Sequence, residues 1–365
     1  MPLHCGIIGI ANVGKTTIFN CISDTKGETT AFAYSAAKSN LGVVRVPDQR
    51  LYELEKHQVT DKIVHTTVEI VDIPGLAKGS NKGEGVGNKF LGDIRNMDAL
   101  IHVLRCFDSE ALIHIEGSVD PVRDMETVSL ELQVKDLESV EKKMERLNRA
   151  AKTGDKEAIH GLEVLERYKA HIEGFNDART LPVKDEEKKY VDDLFLLTMK
   201  PVMYVCNVDE KSAIGGNHHI ERVKEFLKDQ NAEILVIAGA IEAEIAELEN
   251  IDDRKVFLKD IGLDEPGVNK LVRAAYKLLD LQTFFTVGPK EIRAWTIKKG
   301  MTAPQAAGVI HSDLERGFIR AEVMKYKDFI SLGSEHACRD TGKLYIEGKN
   351  YIVADGDILN IRFNV

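Results

Sequence analysis

The sequence predicts an α/β protein with a parallel sheet, helices on both faces, a helical coiled-coil insert and a C-terminal β-grasp domain. Three observations lead to this fold class. Short apolar runs alternate with helical segments up to about residue 120, as in a parallel sheet covered by helices. A charged stretch with apolar residues at helical spacing follows, and from Thr283 onward short strand-like runs return. The expected domains are residues 1–124 with 200–280, an insert at 125–199, and 281–365.

The first strand and the loop after it carry a phosphate-binding motif. An apolar run at residues 4–8 leads into GIANVGKT at residues 9–16, which has the form G-x-x-x-x-G-K-[ST] and precedes a helical segment. Backbone N–H groups of such a P-loop face phosphates. Lys15 is expected to reach the β- and γ-phosphates, and the Thr16 hydroxyl to ligate Mg²⁺. The other predicted contacts of this P-loop GTPase-like site are Asn12, Val13, Gly14 and Thr17.

A second motif, VEIVDIPG at residues 68–75, ends another predicted strand of the sheet. Asp72 is expected to hold Mg²⁺ through water, and the Gly75 N–H to meet the γ-phosphate. Leu76 stands where many GTPases carry a glutamine that orients water, which an apolar side chain cannot do. The glycine-rich run 79–88 predicts a switch loop that orders around the γ-phosphate.

A third motif, NVDE at residues 207–210, follows a predicted strand where a GTPase carries Asn-Lys-x-Asp. It lacks the final aspartate, which in GTPases accepts hydrogen bonds from guanine N1–H and N2–H₂. Asn207 supplies both a donor and an acceptor and can pair with adenine N6 and N7. Val208 and Glu210 are expected beside the base. The remaining predicted base contacts follow the strand at residues 234–237 and are Ala238 and Gly239.

The insert and the last domain are predicted from their apolar spacing. In the insert, Leu137, Val140, Met144 and Leu147 repeat at a/d positions, and a turn at residues 153–155 precedes a second seam. This spacing predicts two antiparallel helices, which serve either a structural role or contact with a large partner. In the last domain, a helix from Thr302 to Ile310 and four strands predict a β-grasp; the strands are residues 284–287, 294–297, 344–346 and 358–361.

Composition excludes several classes of protein. The 365-residue chain is 43% hydrophobic, but no apolar run reaches bilayer length and the N-terminus has no basic region before an apolar segment. We therefore expect no membrane association. The five dispersed cysteines predict buried thiols in a reducing cytoplasm. The net charge is −10, yet residues 284–365 hold 12 Lys and Arg against 10 Asp and Glu, a balance that permits RNA contact.

In this order, the motifs resemble one family closely, the YchF/Obg-like ATPases of the translation-factor branch of P-loop proteins. The resemblance covers essentially the whole chain. Ala11 stands where that family usually has proline, and Ala36 where its first switch has a threonine that ligates Mg²⁺, so Ser35 or water would have to replace that ligand. The segments that carry the resemblance are GIANVGKTT at 9–17, DIPGL at 72–76, the glycine-rich loop, NVDE at 207–210, EIRAWT at 291–296 and RFNV at 362–365.

The resemblance implies an ATPase, with ATP as substrate and Mg²⁺ as cofactor. It implies association with the ribosome, as the 50S subunit or the 70S particle, in translation or stress regulation, and a TGS domain at the C-terminus. Contacts to rRNA or tRNA would involve the TGS domain and the insert. It also suggests that His114 replaces the missing glutamine as a catalytic residue beside Lys15, although a histidine among apolar residues is otherwise a packed or surface residue. Turnover is expected to be slow.

Two other functions remain open at this stage. A conventional GTPase would prefer GTP in direct competition with ATP. A non-hydrolysing adaptor would bind RNA or the ribosome and use the nucleotide only structurally. The apolar Leu76 and Ala36 are the residues that favour the adaptor, because each replaces a group used in hydrolysis.

Overall fold

The computed structural model of the chain describes residues 3–23, 40–75 and 86–364. The segment from Ala33 to Ser39, the run 79–85 and Leu76 lie outside these ranges, so the predictions made for them stay predictions. The described chain contains twelve strands. They are β1 (His4–Ile8), β2 (Asn40–Arg45), β3 (Ile63–Val64), β4 (Thr67–Asp72), β5 (Ala99–Arg105), β6 (Val202–Asn207), β7 (Ile234–Ile237), β8 (Leu281–Val287), β9 (Ile292–Lys298), β10 (Phe318–Lys325), β11 (Leu344–Glu347) and β12 (Asp357–Phe363).

Fifteen α-helices accompany these strands in the described ranges. They are α1 (Lys15–Ser23), α2 (Arg50–Glu55), α3 (Val86–Arg95), α4 (Pro121–Ala151), α5 (Lys156–Glu173), α6 (Asp185–Lys188), α7 (Ser212–Gly215), α8 (His218–Leu227), α9 (Gly239–Glu247), α10 (Ile251–Asp260), α11 (Gly267–Leu278), α12 (Ala303–Ile310), α13 (Ser312–Arg316), α14 (Tyr326–Leu332) and α15 (Glu335–Asp340).

The chain forms two compact units. The first consists of Met1–Val43 and Glu69–Leu271, and the second of Val44–Val68 and Val272–Val365. The first unit contains the helical insert as well as the nucleotide motifs. The second contains residues 44–68, which the sequence-based boundaries had placed in the first domain.

The first unit is built on a six-stranded sheet in the order β2-β4-β1-β5-β6-β7. β1 is parallel to β4 and to β5, and β5, β6 and β7 continue in the same direction. Strand β5 is buried along its whole length, as expected of a strand covered on both faces. The carboxyl ends of these strands therefore meet at one edge of the sheet, where ligands bind in open α/β folds.

The insert is the predicted pair of antiparallel helices. Asp120 caps the start of α4, and its side chain accepts hydrogen bonds from the N–H groups of Val122 and Arg123. Asp155 caps the start of α5 in the same way. Between them Gly154 adopts a φ of 85°, a conformation that favours glycine. Val140 lies in the buried seam between the two helices. Local signals at the helix ends thus account for the position of the turn.

The second unit is a six-stranded sheet in the order β11-β10-β12-β8-β9-β3. β8 and β9 form an antiparallel hairpin, β12 runs parallel to β8, and β10 lies antiparallel to β12. With α12 between β9 and β10, this is the predicted β-grasp arrangement. The sequence prediction missed β10, because Arg320 and Glu322 interrupt its apolar pattern. Glu322 is buried nonetheless, since Arg362 on β12 pairs with it at 3.0 Å.

Residues 44–68 complete the core of the second unit. Leu51 and Leu54 of α2 pack with Phe285 of β8 and Phe329 of α14 in one buried cluster. β3 adds a short parallel strand to β9. This side of the sheet is therefore covered by a segment that lies more than 200 residues away in the sequence.

All five cysteines are buried and free, as predicted. Among the described residues, no helix is both long enough and apolar enough to cross a membrane.

Candidate nucleotide-binding site

The P-loop connects β1 to α1 in a conformation that its glycines make possible. Gly9 and Gly14 adopt φ values of 147° and 93°, and Asn12 one of 62°. A Cβ on Gly9 would lie 2.6 Å from the Val103 carbonyl oxygen. The loop can thus turn tightly and start α1 at Lys15, with the N-terminal N–H groups of α1 at its end.

Lys15 is buried inside this loop. Its Nζ donates a hydrogen bond to the Ile10 carbonyl oxygen at 2.6 Å. Burial lowers the pKa of Lys15 to about 8, although the nearby Asp72 carboxylate acts in the opposite direction. A Cβ on Gly75 would come within 2.6 Å of the Lys15 Nζ. Gly75 therefore allows the close approach of the second motif to the P-loop lysine.

Thr16 and Asp72 form a pair suited to a divalent cation. The Thr16 Oγ1 donates to the Asp72 Oδ2 at 2.9 Å. The Asp72 Oδ1 is buried and has no hydrogen-bond partner in the described part of the chain, and burial raises the pKa of this carboxyl group. An unpaired buried carboxylate oxygen beside a hydroxyl is the kind of oxygen donor set that Mg²⁺ takes up. The residues present thus fit the predicted metal site.

Asn207 joins three segments of the site. Its Nδ2 donates to the Val13 carbonyl oxygen at 2.8 Å, and its Oδ1 accepts from the Gly239 N–H at 3.0 Å. The contacts are tight, since a Cβ on Gly14 would lie 2.2 Å from the Asn207 Nδ2. One N–H and one lone pair of the amide remain for a base. Asn207 therefore orders the P-loop as well as standing at the predicted base position.

A cavity of about 620 Å³ lies over these groups, a volume in the usual range for a small-molecule ligand. Nine of the predicted site residues line it: Asn12, Gly14, Lys15, Thr16, Thr17, Asn207, Val208, Glu210 and Gly239. Val13 and Ala238 do not line the cavity, and both are buried. The Val13 carbonyl oxygen accepts the hydrogen bond from Asn207, and Ala238 is the residue before α9. Gly75 lies against Lys15.

The sequence and structure comparisons identify relatives over the whole length of the chain. A family model described as a 50S ribosome-binding GTPase matches residues 4–146, and the YchF-GTPase_C model, described as a protein of unknown function (DUF933), matches residues 281–364. The Bacillus subtilis (strain 168) protein named Ribosome-binding ATPase YchF is 45% identical, with 100% of both chains covered. The chain belongs to the YchF family. The Escherichia coli O157:H7 protein of the same name is 44% identical, again over 100% of both chains.

The fold of this YchF-family chain is also that of a solved relative. The Schizosaccharomyces pombe YchF GTPase superposes with a TM-score of 0.88 at 33% sequence identity, covering 99% of this chain and 97% of the other. The P-loop GTPase-like fold and the C-terminal domain expected from the sequence are therefore confirmed.

Sequence reasoning missed one wall of the cavity in this YchF-family chain. That wall follows β5 at the edge of the sheet where the P-loop and the base motif meet, and a general rule for parallel sheets predicts binding residues there. The residues of this wall are Phe107, Asp108, Ser109 and Leu112. Asp209 and Ala240 also line the cavity, next to predicted residues of the two base-binding segments.

His114 lies in the same loop but does not line the cavity of the YchF-family fold. It is only 6% exposed, and both ring nitrogens face protein groups. Its Nδ1 accepts from the Glu116 N–H at 3.1 Å, and its Nε2 lies 3.0 Å from the Asp124 Oδ2. In this conformation His114 is a packed histidine, so its catalytic role stays a prediction.

Proposed function

We propose that this chain is a Mg²⁺-dependent ATPase of the cytoplasm that acts on the ribosome as a nucleotide-controlled switch. The observation that carries the proposal is the cavity lined by the P-loop, Thr16 and the NVDE motif, with Asp72 hydrogen-bonded to Thr16. The names of the full-length relatives, which are ribosome-binding ATPases, support the same function. Bound Mg²⁺ would neutralise phosphate charge, held by Thr16 and Asp72.

The phosphate chemistry is assigned to groups at the floor of the cavity. In-line attack of water on the γ-phosphate builds charge on the phosphate oxygens. In this proposal, Lys15 and the N–H groups of the P-loop and α1 stabilise that charge. With Leu76 in place of glutamine, water has no side chain at that position to orient it, so slow turnover is expected.

Preference for adenine is assigned to Asn207 and Glu210. The free lone pair of Asn207 accepts from the adenine N6 amine, whereas guanine presents an acceptor, O6, at the corresponding position. The Glu210 side chain is exposed, lines the cavity and has no partner among the described residues. Val208 is buried in the core, so the lysine of a guanine-binding motif could not be introduced there without disrupting packing.

The first experiment is a competition between labelled ATP and GTP in the presence of Mg²⁺. We expect the wild type to bind ATP at least about tenfold more tightly than GTP, a difference of roughly 1.4 kcal/mol. Glu210→Asp should reduce this ratio of ATP to GTP affinity. Glu233→Asp makes the same change on an exposed residue outside the cavity and should leave the ratio unaltered. Preference of the wild type for GTP would instead identify a conventional GTPase.

The binding of ribosomal RNA is assigned to a basic face of α4. A cleft of about 250 Å³ is bordered by Arg95, Lys142 and Arg146, three exposed cations without a carboxylate partner in the described ranges. Lys135 and Lys143 also border it, but they pair with Glu138 and Asp193. Such a cluster of cations, in a chain whose net charge is −10, is suited to binding the negatively charged phosphate backbone of RNA. The C-terminal unit, assigned as a TGS domain, is the second proposed contact to rRNA or tRNA.

Replacing Lys142 and Arg146 together by glutamine tests the basic face. We expect weaker binding to ribosomes and a salt dependence whose log–log slope is smaller by about 2, since two phosphate contacts are lost. Lys211→Gln with Lys259→Gln removes two exposed lysines elsewhere in the first unit and serves as the control. Equal salt slopes for the two double variants and the wild type would rule out this face as the RNA contact.

A further inference from the structure

A second cavity, of about 660 Å³, lies where the chain returns from the helical insert to β6. Its walls come from α5, the loop after α5, α6 and the segment before β6. Most of its lining residues are apolar, among them Leu181, Val183, Leu196 and Met199. Size and composition are those of a small-molecule site. No residue lines both this cavity and the nucleotide cavity, so it is a separate candidate site.

Phe195 has an unusual conformation at the wall of this cavity. It follows the 3₁₀ helix Asp192–Leu194 with a φ of 48°, a left-handed conformation that a bulky residue rarely adopts. Its side chain is 63% exposed, although the hydrophobic effect favours its burial. Backbone strain of this kind is concentrated at functional sites. The exposed ring offers a flat apolar face to an aromatic ligand.

Tyr168 of α5 contributes a polar group without a partner. The residue is fully buried, and its hydroxyl makes no hydrogen bond within the described ranges. A buried tyrosine hydroxyl usually has a partner. Burial raises the pKa of Tyr168, so the hydroxyl stays protonated at neutral pH and can donate. An acceptor that enters the cavity would supply the missing partner.

The charges at the cavity favour an anion. Three cations and one carboxylate line it, namely Arg179, Lys188, Lys200 and Asp192. Arg179 is neutralised by Asp177. Lys200, by contrast, has no carboxylate partner in the described part of the chain, and its Nζ donates only to backbone carbonyl oxygens. A positive charge therefore remains for a ligand.

Lys188 and Asp192 are the lining charges that act on the Tyr168 hydroxyl, and they shift its pKa in opposite directions. Lys188 pairs only with Asp185, through an exposed ion pair at 2.7 Å, and such pairs contribute little. An anion bound beside Tyr168 would thus be attracted by Lys188 and repelled by Asp192.

We propose that this cavity binds an aromatic carboxylate, whose ring packs against Phe195 and whose carboxylate accepts hydrogen bonds from the Tyr168 hydroxyl and the Lys188 Nζ. The ligand removes two costs of the free protein, the exposed ring and the unpartnered hydroxyl. Asp192 limits the affinity because it carries the same charge as the ligand. The inference does not depend on the proposed ATPase function, since the two cavities share no lining residue.

The test uses 1-anilinonaphthalene-8-sulfonate (ANS), a fluorescent aromatic anion, with the full-length protein. ATP and Mg²⁺ are present in excess to keep the probe out of the nucleotide cavity. We expect ANS to bind a single site per chain and to be displaced by 1-naphthoate, but not by the neutral 1-naphthylmethanol at the same concentration. No displacement by 1-naphthoate, or equal displacement by the alcohol, overturns the proposal.

Two charge variants locate the probe. Lys188→Gln should weaken ANS binding about threefold, and Asp192→Asn should strengthen it by a similar factor, since each removes one charge beside the ligand. Lys228→Gln is the matched control, because Lys228 is similarly exposed and pairs with Glu225 three residues before it, as Lys188 does with Asp185. If either change is absent or has the opposite sign, the anion is not bound there and the proposal fails.

Tyr168→Phe distinguishes ligand binding from a structural role. Because the hydroxyl has no partner in the described part of the free protein, the variant should keep or raise the Tm while it binds ANS about tenfold more weakly. A lower Tm with unchanged ANS affinity would make the hydroxyl a structural group and overturn its assignment as a donor to the ligand.

Phe195→Ala tests the aromatic wall. The ring is exposed, so the variant should fold. We expect both ANS and the neutral probe N-phenyl-1-naphthylamine to bind about tenfold more weakly, because packing against the ring does not depend on charge. Wild-type affinity for both probes would exclude Phe195 from the site and overturn the proposal.

Discussion

Lys15→Ala is expected to lower kcat for ATP hydrolysis by about 100- to 1,000-fold, the usual loss when one preorganised donor to a developing charge is removed. The variant should nevertheless fold. The ammonium group is buried, and its pKa of about 8 lies below the ordinary value of a lysine. The folded protein thus holds this proton less tightly than the unfolded chain does, and removing the side chain removes a cost.

The pH dependence of stability gives this prediction a second check. Wild-type stability should rise as the pH increases from about 8 towards the unfolded lysine value of about 10.4, because the unfolded chain binds more protons in that window. Because Lys15→Ala lacks the buried ammonium group, we expect its Tm to exceed that of the wild type near pH 8. This difference in Tm should become smaller as the pH rises above 8. Lys211→Ala, an exposed lysine outside the cavity, is the control for both measurements. Hydrolysis by Lys15→Ala at the Lys211→Ala rate would exclude Lys15 as a catalytic residue.

Asn207→Ala is expected to reduce both stability and nucleotide affinity. Two hydrogen bonds are lost, and the Val13 carbonyl and the Gly239 N–H are left without their partner. A net value of about 1 kcal/mol for each bond, and about 1–3 kcal/mol for an unsatisfied buried group, predict a loss of about 2–4 kcal/mol in the free energy of unfolding. Denaturant titration of the nucleotide-free protein measures this loss.

The affinity for nucleotide should fall by about 30-fold, corresponding to about 2 kcal/mol, because the P-loop loses the bond that orders it. ATP and GTP should both be affected, in contrast to Glu210→Asp, which should alter mainly their ratio. Asn148→Ala changes an exposed asparagine of α4 and should leave stability and affinity as they are. A change in the ATP to GTP ratio with no loss of stability would mean that Asn207 contacts the base without ordering the P-loop.

The parts of the site that were predicted from sequence are those specified by contiguous residues. The P-loop geometry follows from glycines at fixed spacing, and the Thr16–Asp72 pair from two motifs that each end a strand. The bond from Asn207 to Val13 joins residues 194 positions apart, and no local pattern encodes it. The contact of His114 with Asp124 depends on the path of an irregular loop, which periodicity does not describe.

The fold shows the same division between local and long-range information. Caps and a glycine at positive φ placed the turn of the hairpin correctly. β3 has only two residues, and the sequence of α2 does not indicate which sheet the helix covers. Their membership in the second unit depends on packing against Phe285 and Phe329, which the sequence of residues 44–68 does not reveal.

The membership of residues 44–68 in the second unit has a consequence for synthesis on the ribosome. When this segment leaves the exit tunnel, the strands and helices that bury Leu51 and Leu54 have not yet been translated. At about 5–20 residues per second, the segment waits on the order of ten seconds or more for β8 and β9. During that interval its apolar face is open to chaperones and to aggregation, and a chain shortened before β8 would keep that face exposed permanently.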